Sequence, residues 1–317
     1  MKIIYPKLSV SGQAERLCPP NHKVKAVLDT DTYNEIDDQF AILYAMLSPE
    51  QIDFQAVYAA LFYNERSVSP ADGMEKSYQE ILKICRLTNR SPENFVFRGC
   101  TQPLKSPAIP QESEAVEDLI QKARQASRED PLYVIGIGAC TNIASAIIKS
   151  PDIIQNIVVV WLGGNARHWV SPDEFNLSQD LIAGQVLFNC GVPLVQIPAF
   201  GVTNFLITTV PELEACLAGK NPICDYLVDN VKAFTSDHFA WSKPIWDVGA
   251  VAFLVNSSWT PSSLIHSPMA VSACSYTFDE GRHFIRCVNQ INRDAVFRDL
   301  FTKLGNCHQY FSQPAKG

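Results

Sequence analysis

The chain has 317 residues, 47% of them hydrophobic, which is ample for a buried core in one large α/β domain or two smaller ones. A formal net charge of −7, with no Lys/Arg run of five, argues against a nucleic-acid surface or an anionic membrane as partner. No apolar stretch reaches the roughly 20 residues that span a bilayer, and MKIIYPKLSVSGQAERLCPP has no apolar run long enough for a secretory signal, so a cytoplasmic location is expected.

Residues 1–20 carry prolines and little periodicity and read as an irregular arm, with 21–317 as a single α/β domain. KVKAVLDTD then reads as a buried strand ending in a polar loop, and DDQFAILYAMLS as a helix. QIDFQAVYAAL is a second strand, GMEKSYQEILKICRLT an amphipathic helix, and ENFVFRGC a short strand. AVEDLIQKARQAS is helical and PLYVIGIG is a strand. TNIASAIIKSP is a helix opened by Thr141 or Asn142, NIVVVWLGG a strand, QDLIAGQVLFNC a helix and GVPLVQIPAF a strand. The remaining residues mix helix and strand less regularly; DVGAVAFLV reads as a helix that Asp247 could cap.

The strands are continuous apolar runs separated by helices. That pattern predicts a Rossmann-like open, mostly parallel sheet with helices on both faces. In such folds ligands bind at the carboxyl ends of the strands. Polar clusters fall at those ends: Asp29 and Asp31 after the first strand, Gly136-Ile137-Gly138 after another, and Gly163-Gly164-Asn165 after a third. The ten cysteines show no C-x-x-C spacing, and Cys85, Cys140, Cys190, Cys216, Cys274 and Cys287 lie in apolar stretches, as buried reduced thiols would.

The segment Asp29-Thr30-Asp31-Thr32-Tyr33-Asn34-Glu35-Ile36-Asp37-Asp38 places five carboxylates in ten residues with no Lys or Arg among them. Crowding that charge between an apolar strand and an apolar helix is costly without a counter-charge. A hard cation with oxygen ligands, Ca²⁺ or Mg²⁺, supplies one. An EF-hand loop starting at Asp29 needs Gly at its sixth position and Glu at its twelfth, where this chain has Asn34 and Phe40. A phosphatase of the haloacid dehalogenase type needs Thr or Val where Tyr33 stands.

The same segment resembles the nucleoside hydrolase family, whose members begin with a strand, Asp-x-Asp, a short turn, and Asp-Asp opening a helix. Three further stretches are similar to that family in order: Gly136-Ile137-Gly138-Ala139-Cys140-Thr141-Asn142-Ile143-Ala144; Leu162-Gly163-Gly164 with Glu174-Phe175-Asn176 and Asp180; and Trp246-Asp247-Val248-Gly249-Ala250-Val251-Ala252. Together they span most of residues 24–255. The resemblance implies one Ca²⁺ per chain held by Asp31, Asp38, Asp247 and the backbone carbonyl of Ile137, with Asp31 also the general base on water. It implies that Asp37, Glu174 and Asn176 face the ribose, that Asn165 and Asn64 are further sugar contacts, and that Asp29 supports from behind. The implied substrate is a small-molecule ribonucleoside, cleaved at its N-glycosidic bond to ribose and free base by a homodimer or homotetramer. Carboxylates suit that chemistry, because breaking the C1′–N bond puts oxocarbenium character on the ribose.

This chain also departs from the pattern. Five residues, Thr32 to Ile36, separate Asp31 from Asp37, where many members have three, so Asn34 or Glu35 could intrude into the pocket. Trp246 stands where many members have a histidine that helps the leaving group, which points to stacking on a purine-type base. Leu162 replaces a common methionine. SPAIPQESEAVEDL offers no counterpart to the family's His-Gly loop at the pocket mouth. His168, His238 and His22 are candidate acids, His168 also a substrate contact, and Trp169, Phe239 and Trp241 could line a base pocket or pack elsewhere. Two alternatives follow: a family member that binds a metal and a ribosyl ligand without cleaving it, or a hydrolase of a modified ribosyl compound.

Overall fold

A computed structural model describes residues 3–272 and 275–311. In its first half the chain runs α1 (Val10–Arg16), β1 (Val24–Thr30), α2 (Asp38–Met46), β2 (Ile52–Ala59), α3 (Pro70–Leu87), β3 (Val96–Arg98), α4 (Glu114–Gln125), β4 (Leu132–Gly136), α5 (Thr141–Lys149) and β5 (Ile157–Leu162). There follow α6 (Phe175–Gln179), α7 (Leu181–Asn189), β6 (Leu194–Ile197), β7 (Ile207–Thr208), α8 (Val210–Leu217), α9 (Pro222–Phe234), β8 (Lys243–Pro244) and α10 (Val248–Val255). The chain ends with β9 (Ser262–His266), β10 (Met269–Ser272), β11 (Ser275–Thr277), β12 (Phe284–Val288), α11 (Arg293–Gly305) and α12 (His308–Phe311).

Eight strands form one sheet in the order β3-β2-β1-β4-β5-β6-β12-β9, parallel throughout except for the edge strand β9. The fully buried runs of β4 and β5 are what a sheet covered on both faces requires. The irregular last third has a simple cause. Besides the helices α8 to α12, it supplies one parallel strand, one antiparallel edge strand and two antiparallel ribbons, β7–β8 and β10–β11, and the ribbons are too brief to show a period.

The first twenty residues are not wholly irregular. Ser9 caps α1 by accepting from the Gly12 N–H, and the buried Arg16 donates to the carbonyls of Gln155 at 2.5 Å and Ile157 at 2.8 Å. A helix of two turns is unstable alone, so α1 owes its existence to this docking, which has no local periodicity. Among the thiols, Cys85, Cys140, Cys190 and Cys287 are buried, Cys216 is half-buried, and Cys274 lies outside the described residues. Among the described residues no helix is long and apolar enough to cross a membrane.

Strand order reverses beside β1: β2 and β3 extend to one side, β4 and β5 to the other. A crevice opens at such a switch point, beyond the carboxyl ends of the two central strands. There Asp29 pairs with Gly136, and the Ile137 N–H donates to the Asp29 carbonyl at 2.8 Å. Gly138 follows, and a Cβ on it would lie 3.0 Å from the Asp31 carboxyl. A glycine here lets Asp31 sit directly against the loop leaving β4.

Candidate active site

A cavity of about 320 Å³ occupies that crevice. The β1–α2 loop contributes Asp31, Asn34, Glu35 and Asp37, the start of α2 contributes Asp38, and the end of α9 and the loop before α10 contribute Phe234, Trp246 and Asp247. Asp37 and Asp247 occupy the N-cap positions of α2 and α10, yet neither side chain makes a capping bond. Their carboxylates face the cavity instead, where the N-terminal ends of two helix dipoles favour negative charge. One oxygen from each of Asp37, Asp38 and Asp247 lies within 4.8 Å of the others. The sequence expectation put Asp31 with Asp38 and Asp247 on the ion and Asp37 on the sugar. The structure groups Asp37 with Asp38 and Asp247, and sets Asp31 beside them with its Oδ2 buried and without a hydrogen bond.

Burial without compensation dominates the electrostatics. It raises the Asp31 and Asp247 carboxyls well above the usual range, and the neighbouring carboxylates add to the effect. Asp38 is pushed up to about 8 by burial and by Asp37, although the Thr30 hydroxyl donates to it at 2.5 Å. Asp37 reaches only about 6, because Lys243 offsets part of the cost of burial. An orphaned buried oxygen beside three clustered carboxylates is a donor set that a hard divalent cation satisfies. Behind the cluster, Asp29 accepts from Asn142 Nδ2 at 2.7 Å, and burial raises it to about 7.

The opposite wall comes from the ends of β4 and β5 and from α6. Glu174 caps α6, accepting from the N–H groups of Asn176 and Leu177, and also from Gly164 N–H at 2.8 Å. These bonds oppose burial, which still lifts it to about 7. Asn176 Nδ2 donates to the carbonyls of Ile137 at 3.2 Å and Leu162 at 3.0 Å, tying two strand ends together. A carbonyl has two lone pairs, so the Ile137 oxygen retains one for a ligand. Ile137, Leu162, Glu174 and Asn176 all line the cavity.

The lengthened turn is tied down at several points. Tyr33 adopts a positive φ of 122°, under the guanidinium of Arg66, 4.5 Å from its ring centroid. A non-glycine residue holds such a backbone only when its surroundings impose it. Asn64 Nδ2 donates to Asn34 Oδ1 at 2.6 Å, and Glu35 forms an ion pair with Lys243. Asn34, Glu35 and Asn64 therefore reach the cavity as parts of its wall. Lys243 sits on β8, placed there by antiparallel pairing with β7. Burial alone would lower its pKa, but Asp37 and Glu35 hold it above the ordinary lysine value.

The other predicted residues separate. Asn165 is buried outside the cavity lining, donating to the carbonyls of Ser171 and Asp173 and accepting from Phe200 N–H, so it braces the loop after β5. His168 is exposed and outside the lining. His238 lies within 3.0 Å of the Lys232 carbonyl, and His22 precedes β1, at the far end of that strand from the site. Phe239 is 91% exposed, and Trp241 stacks on Phe234 at 6.3 Å. Trp169 stacks at 5.3 Å on Phe200, which meets Trp246 edge-on at 5.1 Å.

The model of the inosine-uridine preferring nucleoside hydrolase family matches residues 26–298. The chain belongs to that family. The pyrimidine-specific ribonucleoside hydrolase RihA of Escherichia coli is 26% identical over 249 residues, covering 69% of this chain and 76% of that protein. The purine-preferring ribonucleoside hydrolase from Gardnerella vaginalis shares the fold with a TM-score of 0.73 at 20% identity, covering 89% of this chain and 98% of the other. A plant nucleoside hydrolase follows at 0.72 and 19% identity, covering 90% and 99%. As a nucleoside hydrolase the chain is a ribonucleoside N-ribohydrolase.

Several lining residues of this nucleoside hydrolase escape sequence reasoning: Glu65, Phe175, Ala199, Phe200 and Phe234, together with Lys243 behind them. Phe175 sat inside a stretch already singled out and could have been found. Phe200 closes the strand segment GVPLVQIPAF and Phe234 ends α9, and neither position carries a local polar motif that marks a site.

Proposed function

We propose that this nucleoside hydrolase cleaves ribonucleosides with one bound divalent cation, Ca²⁺ in preference, and favours a purine-type base. The observation that carries the reading is the convergence of Asp31, Asp37, Asp38 and Asp247 in one cavity, buried, with Lys243 drawn near Asp37. Asp38, Asp247, Asp31 and the Ile137 carbonyl would hold the ion. Ca²⁺ accepts about six to eight oxygens, so Asp37 can join them or serve the ribose hydroxyls. Such a cation would supply Lewis-acid activation of water and a hold on the ribose diol.

The chain's own residues complete the chemistry. Asp31 takes the proton from the attacking water, since of the two aspartates with an orphaned oxygen, Asp29 and Asp31, it is Asp31 that lines the cavity. The carboxylate cluster stabilises positive charge developing at C1′ in a site shielded from water. Leu162 and Asn176 support the ribose from the β5 side, and Asn64 with Asn34 closes the other. Trp246, held edge-on by Phe200, offers a face for the base, which supports a bicyclic leaving group.

Incubation with inosine, guanosine, adenosine, cytidine and uridine in Ca²⁺, followed by a reducing-sugar assay, tests the proposal. Release of ribose, fastest from a purine nucleoside, is expected; no release from any of the five would sink it. The strained, lengthened turn favours a second reading, ligand binding without turnover. Tight nucleoside binding with zero release would select it.

A further inference from the structure

We propose that the preferred substrate is a ribonucleoside whose base carries a permanent positive charge, such as an N-alkylated purine or a pyridinium. This rests on the ribohydrolase reading above and narrows it to a substrate class.

Charge is the first argument. Seven carboxylates line the cavity: Asp31, Glu35, Asp37, Asp38, Glu65, Glu174 and Asp247. No Lys, Arg or His is among the described lining residues. The nearby cations are otherwise engaged: Lys243 pairs with Glu35, and Arg66 donates to the Glu35 carbonyl and lies over Tyr33. With the lining carboxyls ionised, as a bound divalent cation would favour, Lys243 would offset one formal charge and that cation two more, which leaves the cavity negative. A low-dielectric cleft of one sign concentrates ligands of the other.

The aromatic wall is the second. Phe175, Phe200, Phe234 and Trp246 line the same cavity as Glu35 and Glu65. Ring faces attract cations, most strongly when water is excluded, and a charged heteroaromatic ring uses both stacking and charge. The Lys243 ammonium lies 5.3 Å from the Phe234 centroid and 5.9 Å from that of Trp246, so these rings already border a cation.

The leaving group is the third. A neutral base departs as a poor anion unless it is protonated. The described lining offers little to protonate it with. Asn34, Asn64 and Asn176 and the Trp246 indole can donate a hydrogen bond but not surrender a proton. Asp31, Asp37, Asp38 and Asp247 are assigned above to the ion and the ribose, Glu65 is exposed, both oxygens of Glu174 accept from backbone N–H groups, Glu35 is held by Lys243, and His168 and His238 lie outside the lining. A cationic base needs no acid. Water adds to C1′, the C1′–N bond breaks, and its electron pair remains on the ring nitrogen and discharges the cation. The proton from water passes to Asp31 and then to solvent, one per turnover.

The test uses Ca²⁺-loaded full-length protein with 7-methylguanosine and nicotinamide riboside against guanosine and uridine. Because the charged substrates are intrinsically more labile, inhibition by 1-methylnicotinamide is compared with inhibition by neutral nicotinamide. We expect kcat/KM at least 100-fold higher for the charged pair, and inhibition by the methylated cation at tenfold lower concentration. Trp246→Leu, or Phe234→Leu should the first fail to fold, is expected to narrow the charged-to-neutral ratio tenfold. Hydrolysis of neutral nucleosides within tenfold of the charged ones, equal inhibition by the two nicotinamides, or an unchanged ratio in the folded variant would each overturn the preference while leaving the ribohydrolase intact. No hydrolysis of any of the four would remove both.

Discussion

The two ends of the same central strands handle charge in opposite ways. At the amino ends of β1 and β4, Lys25 meets Asp130 at 2.6 Å, both side chains well exposed. At the carboxyl ends, Asp29 and Asp31 are about 1% exposed, and each keeps a carboxylate oxygen without a hydrogen bond. A surface pair contributes little, about 0 to 1 kcal/mol, because water already solvates both partners. A buried, unpaired carboxylate costs far more and persists only where something else supplies the charge. The amino end is an ordinary protein surface; the carboxyl end is a site held at the expense of stability.

That contrast can be broken or sharpened experimentally. The largest effect is expected for Asp31→Ala: turnover should fall by about 10²- to 10⁴-fold, as for loss of a general base, with the circular dichroism spectrum unchanged. A variant within threefold of the parent rate would contradict the role given to Asp31.

Removal of divalent metal comes next. Chelation should abolish ribose release, and Ca²⁺ at a hundredfold excess over Kd should add about 2.7 kcal/mol of stability, seen as a rise in Tm of several degrees. A Tm indifferent to Ca²⁺ would count against the cation site.

The metal-free protein should also show an inverted pH dependence. Burial raises Asp29 to about 7, Asp37 to about 6 and Asp38 to about 8, all above their unfolded values. The folded state therefore binds more protons than the unfolded chain between about pH 4 and 8, and stability falls as pH rises through that window. Denaturant titrations at pH 5 and pH 8 should show the lower value at pH 8, with Ca²⁺ reducing the difference. Equal midpoints without metal would refute the charge burden.

Lys243→Met should cost about 1 to 2 kcal/mol, discounted because Glu35 is more than a third exposed. It should also raise KM, because the long turn loses one of its anchors. At the amino end, Lys25→Ala should change stability by less than about 0.5 kcal/mol. A larger loss there than at Lys243 would reverse the comparison.

Sequence legibility followed the range of each signal. The alternation of apolar strands and helices from residue 24 to 200 was readable because periodicity is local. Asp31, Asp37, Asp38, Glu174, Asn176, Trp246 and Asp247 were readable because their motifs are short and ordered, and all of them line the cavity. Asn165 and His168 stood in the same polar loop, yet that loop turns its amide inward as a brace and its imidazole out to solvent. How closely Asp31 and Asp37 each approach Asp38 depends on how a five-residue turn folds back, and spacing does not encode that.

The amino-acid sequence by itself determined the parallel α/β architecture and a carboxylate cluster that could hold a cation, because buried strands must be apolar and crowded carboxylates favour a counter-charge. Only the tertiary structure decided what surrounds the cluster. Lys243 is brought to Glu35 across 208 residues by a ribbon two residues long, and Phe200 and Phe234 line the cavity together only because the segments that carry them meet at the same crevice. Contacts of that separation are set by strand order and loop closure, which leave no period in the chain.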